Sequence, residues 1–99
     1  MSVYSVLQSI GLPCAYSHFR EDVAPPYLVY TGAGQDNFEA DNTYRYSRNL
    51  YQVEYYFVTK DESQEASIES ALLNAGFLYQ KSEDVFIEEE GVFVIYYTI

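Results

Sequence analysis

The chain has 99 residues, 48% of them apolar and 18% aromatic, with fifteen Asp and Glu against five Lys and Arg for a formal charge of −10. That length, with no compositional shift to mark a linker, predicts one domain over residues 1–99, and the apolar fraction excludes a disordered chain. The negative balance repels phosphate backbones and anionic lipid head groups, so no specific nucleic-acid binding and no membrane partner are expected; Arg20, Arg45, Arg48, Lys60 and Lys81 are dispersed and form no basic stripe.

Residues 2–11 read as a short helix, with Val3, Val6, Leu7 and Ile10 on one face and Gly11 and Pro13 ending it. Residues 12–26 lack a period and read as a connecting loop, in which Pro25-Pro26 forces an extended approach to the next segment. Tyr27 to Tyr30 is a short aromatic and β-branched strand ended by the glycines of Thr31-Gly32-Ala33-Gly34, and residues 35–41 read as an exposed excursion. Thr43 to Arg48 alternates strictly and is expected as a half-buried strand. After a turn at residues 47–49, Tyr51, Val53, Tyr55 and Phe57 fill one face of the strongest strand. Tyr56 and Val58 lie on its otherwise polar face, which suggests cover by another subunit.

Asp61 is placed to cap a second helix in a capping-box arrangement with Gln64, with Glu62, Glu65 and Glu69 towards its positive end. Ile68, Leu72 and Ala75 form its buried stripe and Gly76 stops it. Two strands come next, residues 77–87 and 92–99, joined by a tight Glu88-Glu89-Glu90-Gly91 turn. The last is apolar on both faces and is expected to be central. The order α-β-β-β-α-β-β predicts an α+β fold, a mainly antiparallel sheet of about five strands with two helices packed on one face.

Cys14 is the only cysteine, which excludes an internal disulfide and suits a reducing cytoplasm. The N-terminus lacks a basic region followed by an apolar run, so export through a signal peptide is not expected. Cys14 and His18 are the types that make a thiol nucleophile and its base, but loop spacing builds no dyad, and two soft ligands do not close a zinc site. The acidic groups Asp36, Glu39, Asp41 and Glu83, Asp84, Glu88, Glu89, Glu90 do not match a calcium loop and read as solvated charge. Gly32-Ala33-Gly34 lacks the following helix and lysine of a phosphate loop. No catalytic, metal or cofactor-binding residue is expected, and the chain is not expected to be an enzyme.

The runs Pro26-Tyr27-Leu28-Val29-Tyr30, Phe38-Glu39-Ala40-Asp41-Asn42-Thr43-Tyr44 and Tyr51-Gln52-Val53-Glu54-Tyr55-Tyr56, then Gly76-Phe77, a charged hairpin and Ile95-Tyr96-Tyr97, resemble small tail proteins of phages and prophages of Gram-positive bacteria. Among these the chain is most similar to tail-terminator proteins, also called tail-completion or tail-to-head joining proteins. The resemblance implies a structural protein of the virion tail, assembled in the host cytoplasm. Its copies would form a homo-hexameric ring, possible as monomers in isolation, that caps the tail-tube protein, ends tube growth and joins the head-connector protein. Tyr44, Tyr46, Tyr56 and Val58 are then candidates for the subunit interface. Glu88, Glu89 and Glu90 are candidates for an acidic lumen or rim that DNA passes without binding. The alternative is an acidic DNA mimic that inhibits a host nucleic-acid-processing protein.

Overall fold

The computed structural model describes the backbone of residues 2–40 and 44–99 and the side chains of residues 2–35 and 49–99. The elements in chain order are α1 (Val3–Gln8), β1 (Cys14–Tyr16), β2 (Tyr27–Ala40), β3 (Tyr44–Phe57), α2 (Glu62–Asn74), β4 (Gln80–Lys81), β5 (Val85–Ile87) and β6 (Val92–Thr98). They make an α+β fold with a six-stranded mixed sheet in the order β1-β2-β3-β6-β4, with β5 also on β6.

Each helix starts and stops for a local reason. Ser2 caps α1 by accepting from the Ser5 amide at 3.2 Å, and Asp61 caps α2 by accepting from the Ser63 and Gln64 amides at 3.1 and 3.2 Å. Beyond α2, Gly76 adopts φ +88°. The Phe77 amide then reaches the Leu72 carbonyl at 2.9 Å and the Gly76 amide the Leu73 carbonyl at 3.0 Å, a Schellman closure. Val3, Val6 and Leu7 of α1 and Ile68 and Leu72 of α2 enter one cluster with Leu28, Val53, Tyr55, Phe57, Ile95, Tyr97 and Ile99. Both helices therefore cover the same sheet face, as the spacing predicts.

Three expectations need correction. The loop at residues 12–26 contains β1, whose Cys14, Ala15 and Tyr16 pair in parallel with Leu28, Val29 and Tyr30. Three residues carry no readable period, and the ladder alone makes them a strand. The separate strands and turns expected between residues 27 and 57 are two continuous fourteen-residue strands in antiparallel register, from Tyr27↔Tyr56 to Ala40↔Tyr44. The glycines mark a bulge, not a turn: the register shifts between Gly32 and Gln35, and Gly34 takes φ +95°, a conformation costly to a side chain with Cβ. The single strand expected over 77–87 is split into β4 and β5, which pair with opposite ends of β6. Between them the Ser82 amide bonds the Tyr96 carbonyl while the Ser82 hydroxyl accepts from the Tyr96 amide at 2.8 Å.

The body ends before the hairpin does. β1 holds β2 only as far as Tyr30. Towards the hairpin, β3 is held by β6 from Gln52 onward, and Tyr51 exchanges 3.0 and 2.9 Å backbone bonds with Ile99. Residues 31–40 and 44–50 thus continue as a two-stranded arm, the strands running on for roughly 30 and 20 Å at the usual rise. The molecule measures 50 × 26 × 26 Å. β6 is central to the body, lying between β3 on one side and β4 and β5 on the other, and its Val92, Val94, Ile95 and Tyr97 are buried from both faces.

Leu72 is fully buried between α2 and the sheet. Leu72→Ala is expected to cost about 2–5 kcal/mol in urea unfolding with an unchanged slope; a loss under about 1 kcal/mol would contradict this placement of α2.

Candidate functional site

The arm brings the predicted interface residues into relation with the fold. Tyr44 stands opposite Ala40 and Tyr46 opposite Phe38 in the register; the side chains of both lie outside the described residues. Tyr56 and Val58 are near the other end of β3, ~30 Å or more from Tyr46 along an extended strand. Tyr56 is half-buried on the face away from the helices, where its ring stacks on Tyr27 at 4.9 Å and its hydroxyl donates to Glu54. Burial, followed by that bond, pushes its hydroxyl pKa up. Val58 is 56% exposed just past the strand. The four positions therefore fall in two separate places, Tyr44 and Tyr46 on the arm and Tyr56 and Val58 at the opposite end of the body.

The arm's root carries a tyrosine collar that sequence reasoning missed. Tyr30 contacts Tyr4 of α1 at 6.2 Å, Tyr16 of β1 edge-on at 5.1 Å and Tyr51 at 6.3 Å. Tyr4 and Tyr16 remain 41% and 58% exposed, so aromatic surface meets solvent where the arm leaves the sheet. The sequence of residues 31–50 carries three acidic residues, Asp36, Glu39 and Asp41, and two arginines, Arg45 and Arg48; Asp41 lies outside the described residues. The register sets Asp36 opposite Arg48 and Glu39 opposite Arg45. The arm is near neutral on a chain of −10.

Charge in the body is arranged differently. Glu65, 3% exposed, lies one turn before Ile68 on the buried stripe of α2. Lys81 Nζ donates to its Oε1 at 2.9 Å, and Lys60 Nζ stands 2.7 Å from its Oε2. That second contact is an ion pair off the angle of a directed hydrogen bond, so Oε2 is held by charge. Lys60 also pairs with Asp84 at 3.0 Å, and Lys81 with Glu69 at 2.8 Å. Glu69 accepts further from the Tyr97 hydroxyl at 2.8 Å and the Tyr79 hydroxyl at 3.2 Å. Burial works to raise the Glu69 carboxyl, but the bonds from Lys81, Tyr97 and Tyr79 outweigh it and hold the pKa below the ordinary value. Both lysines of the chain are consumed in this clasp, which ties α2 to the edge of the sheet.

Glu88, Glu89 and Glu90 are exposed on the β5–β6 turn, closed by the Gly91 amide on the Ile87 carbonyl at 2.9 Å. The nearby edge strand β5 exposes Phe86 by 53%. Glu90 also lines a cleft of about 400 Å³ beneath residues 17–26. A groove of about 690 Å³ runs between α1 and α2; its lining of small residues such as Ser9, Ala66 and Ser70 includes no Asp, Glu, Lys, Arg or His. Cys14 packs against the helix-face core, where burial raises its thiol, whereas His18 lines the cleft on the other face. The sheet separates this pair. Among the described residues no group of three or more His, Cys, Asp and Glu is placed to hold a metal ion, and no helix is long and apolar enough to cross a membrane.

Lys81→Met is expected to cost about 2–3 kcal/mol, below the 3–5 of a fully buried pair because Lys81 is partly exposed and Lys60 still faces Glu65; adding Glu65→Gln should recover much of it. Because the Glu69 carboxyl is depressed in the folded chain, its contribution is present above the unfolded value of about 4.3 and disappears as pH falls through the folded one. Glu69→Gln should therefore flatten the loss of stability below about pH 4.3, measured by urea titrations at stepped pH; an unaltered acid limb would contradict the pairing. No protein-family model and no curated protein matches the chain, so the functional reading is carried by these surfaces.

Proposed function

We propose that this chain is a structural protein of phage tail assembly, a ring-forming subunit that caps the tail tube, ends its growth and joins the tail to the head connector. The arm is the observation that carries the reading. A two-stranded ribbon is marginal by itself in water, and both of its edges present unpaired backbone groups. Among the described residues no strand covers either edge beyond Tyr30 and Tyr51. A neighbouring copy that receives the arm would satisfy both needs.

A ring closes through heterologous contacts, which require two different patches on each subunit. Tyr44 and Tyr46 on the arm and Val58 at the far end of β3 are separated in the way such contacts need. Copies with a charge of −10 repel one another, and the near-neutral arm is the part that can enter a neighbour at least electrostatic cost. Glu88 and Glu89 on their exposed turn would then face the passage and keep DNA from adhering. The likeness to tail-terminator proteins supports the same role.

Replacing residues 33–50 by an Asn-Gly turn joins the paired Gly32 and Tyr51 directly. The armless chain is expected to keep its circular dichroism spectrum but to give overlong, headless tails when it replaces the natural chain in a producing cell. Normal tails would contradict the proposal, as would recovery of a host nuclease or polymerase, and no tube protein, by the full chain from lysate. Glu88→Lys with Glu89→Lys is expected to slow genome ejection from reconstituted particles; unchanged ejection would remove these residues from the passage.

A further inference from the structure

The sheet face away from the helices holds a second constellation, at the end of the body opposite the arm. Tyr27 and Tyr56, a directly registered pair, stack at 4.9 Å with an interplanar angle of 23°, and Phe19 meets Tyr27 edge-on at 5.2 Å. These rings line the cleft of about 400 Å³ beneath residues 17–26, with the buried Val29 and Val92 beside them. Glu21 and Asp22 come to the cleft from that segment and Glu90 from the β5–β6 turn. No lysine or arginine lines it: Arg20 lies outside the lining, and Lys60 and Lys81 are held by Glu65 and Glu69.

Stacked tyrosines offer negative ring faces to a cation, and carboxylates at the mouth draw one in and fix its orientation. We propose that this cleft is a docking site for an arginine-bearing segment of a partner protein, whose guanidinium lies against the Tyr27–Tyr56 pair and bonds to carboxylates of Glu21, Asp22 and Glu90. Charge complementarity selects a basic occupant. The aromatic lining favours arginine over lysine, because a planar, weakly hydrated guanidinium stacks on a ring while its fork reaches carboxylates. The same potential is felt by the ring itself: burial, then Glu90 and Glu54, raise the Tyr27 hydroxyl pKa. The cleft shares Tyr56 with the candidate interface patch at this end of the body, but binding of a free arginine segment to the isolated chain requires neither the arm nor a ring of copies, so the two proposals can fail separately.

The test is a titration of the ¹⁵N-labelled full chain with acetyl-Gly-Arg-Gly-amide, with the lysine and citrulline tripeptides alongside, at about 0.15 M salt to suppress diffuse attraction. Saturable shifts are expected at residues 18–27, 56 and 90–92, with millimolar affinity for arginine, at least about threefold weaker binding of lysine and none of citrulline. Tyr56→Leu, which leaves the charge at −10, should weaken binding about fivefold. Glu90→Gln and Asp22→Asn, both at exposed positions, should weaken it as well and guard against a folding defect in the tyrosine variant. Unsaturable shifts spread over the acidic surface, equal response to lysine, or binding unchanged in Glu90→Gln and Asp22→Asn would overturn the proposal.

Discussion

The β2–β3 ladder is the constraint on which the rest of the molecule depends. One half of it is built into the body, where Val53, Tyr55 and Phe57 bury themselves beneath two helices and β1 and β6 pair with its outer edges. The other half, among the described residues, pairs with no other strand. Because the two halves are one continuous pair of strands, the register set by core burial is transmitted into the arm, interrupted by the single bulge between Gly32 and Gln35. Slipping that register by one residue would turn Val53 and Tyr55 to solvent, so the arm leaves the body in a defined position even though, among the described residues, no further strand pairs with it beyond its root.

Charge follows the same division. Within the body, Lys60 and Lys81 are drawn to a carboxylate that helical spacing forces into the core. Removing one partner of such a group is more costly than never having had it, which makes the Glu65 clasp a specifier of where α2 sits and leaves the remaining carboxylates without lysine counter-charge. In the arm, the acidic positions 36 and 39 of β2 stand opposite the basic positions 48 and 45 of β3 in the register. The result is a strongly acidic body joined to an arm whose sequence is near neutral, the division on which the proposed assembly rests. The aromatic cleft extends the pattern: acid at its mouth, rings along its lining, and no lysine or arginine of the chain among the residues that line it.

Much of the body was legible because burial imposes a period. The stripe Ile68, Leu72, the alternation Val53, Tyr55, Phe57 and the two-faced apolar run of β6 each repeat at the interval their geometry demands, and caps at Asp61 and Gly76 mark their ends. The arm was not legible for the converse reason. Residues 35–40 and 44–49 are held by pairing across the hairpin, and glycine and polar residues in that stretch of sequence look like turns and loops. β1 is too short to show any period. Glu65 was read only as a charge towards the positive end of the helix, whereas its place on the Ile68–Leu72 stripe points inward whatever its side chain. Tyr56 fell where alternation put it, but its stacking on Tyr27 depends on a ladder whose register spacing alone does not supply.

Hydrogen exchange on the arm tests this account most directly. In the free chain, amides of residues 31–50 should exchange faster than those of residues 52–57 and 92–98, since local opening of a lone ribbon needs no disruption of the core. On particles in which the chain has joined the tail, the arm amides should become as protected as those of the body. Arm amides that remain equally fast in the assembled particle would show that no neighbour completes the ribbon, and the account would fail.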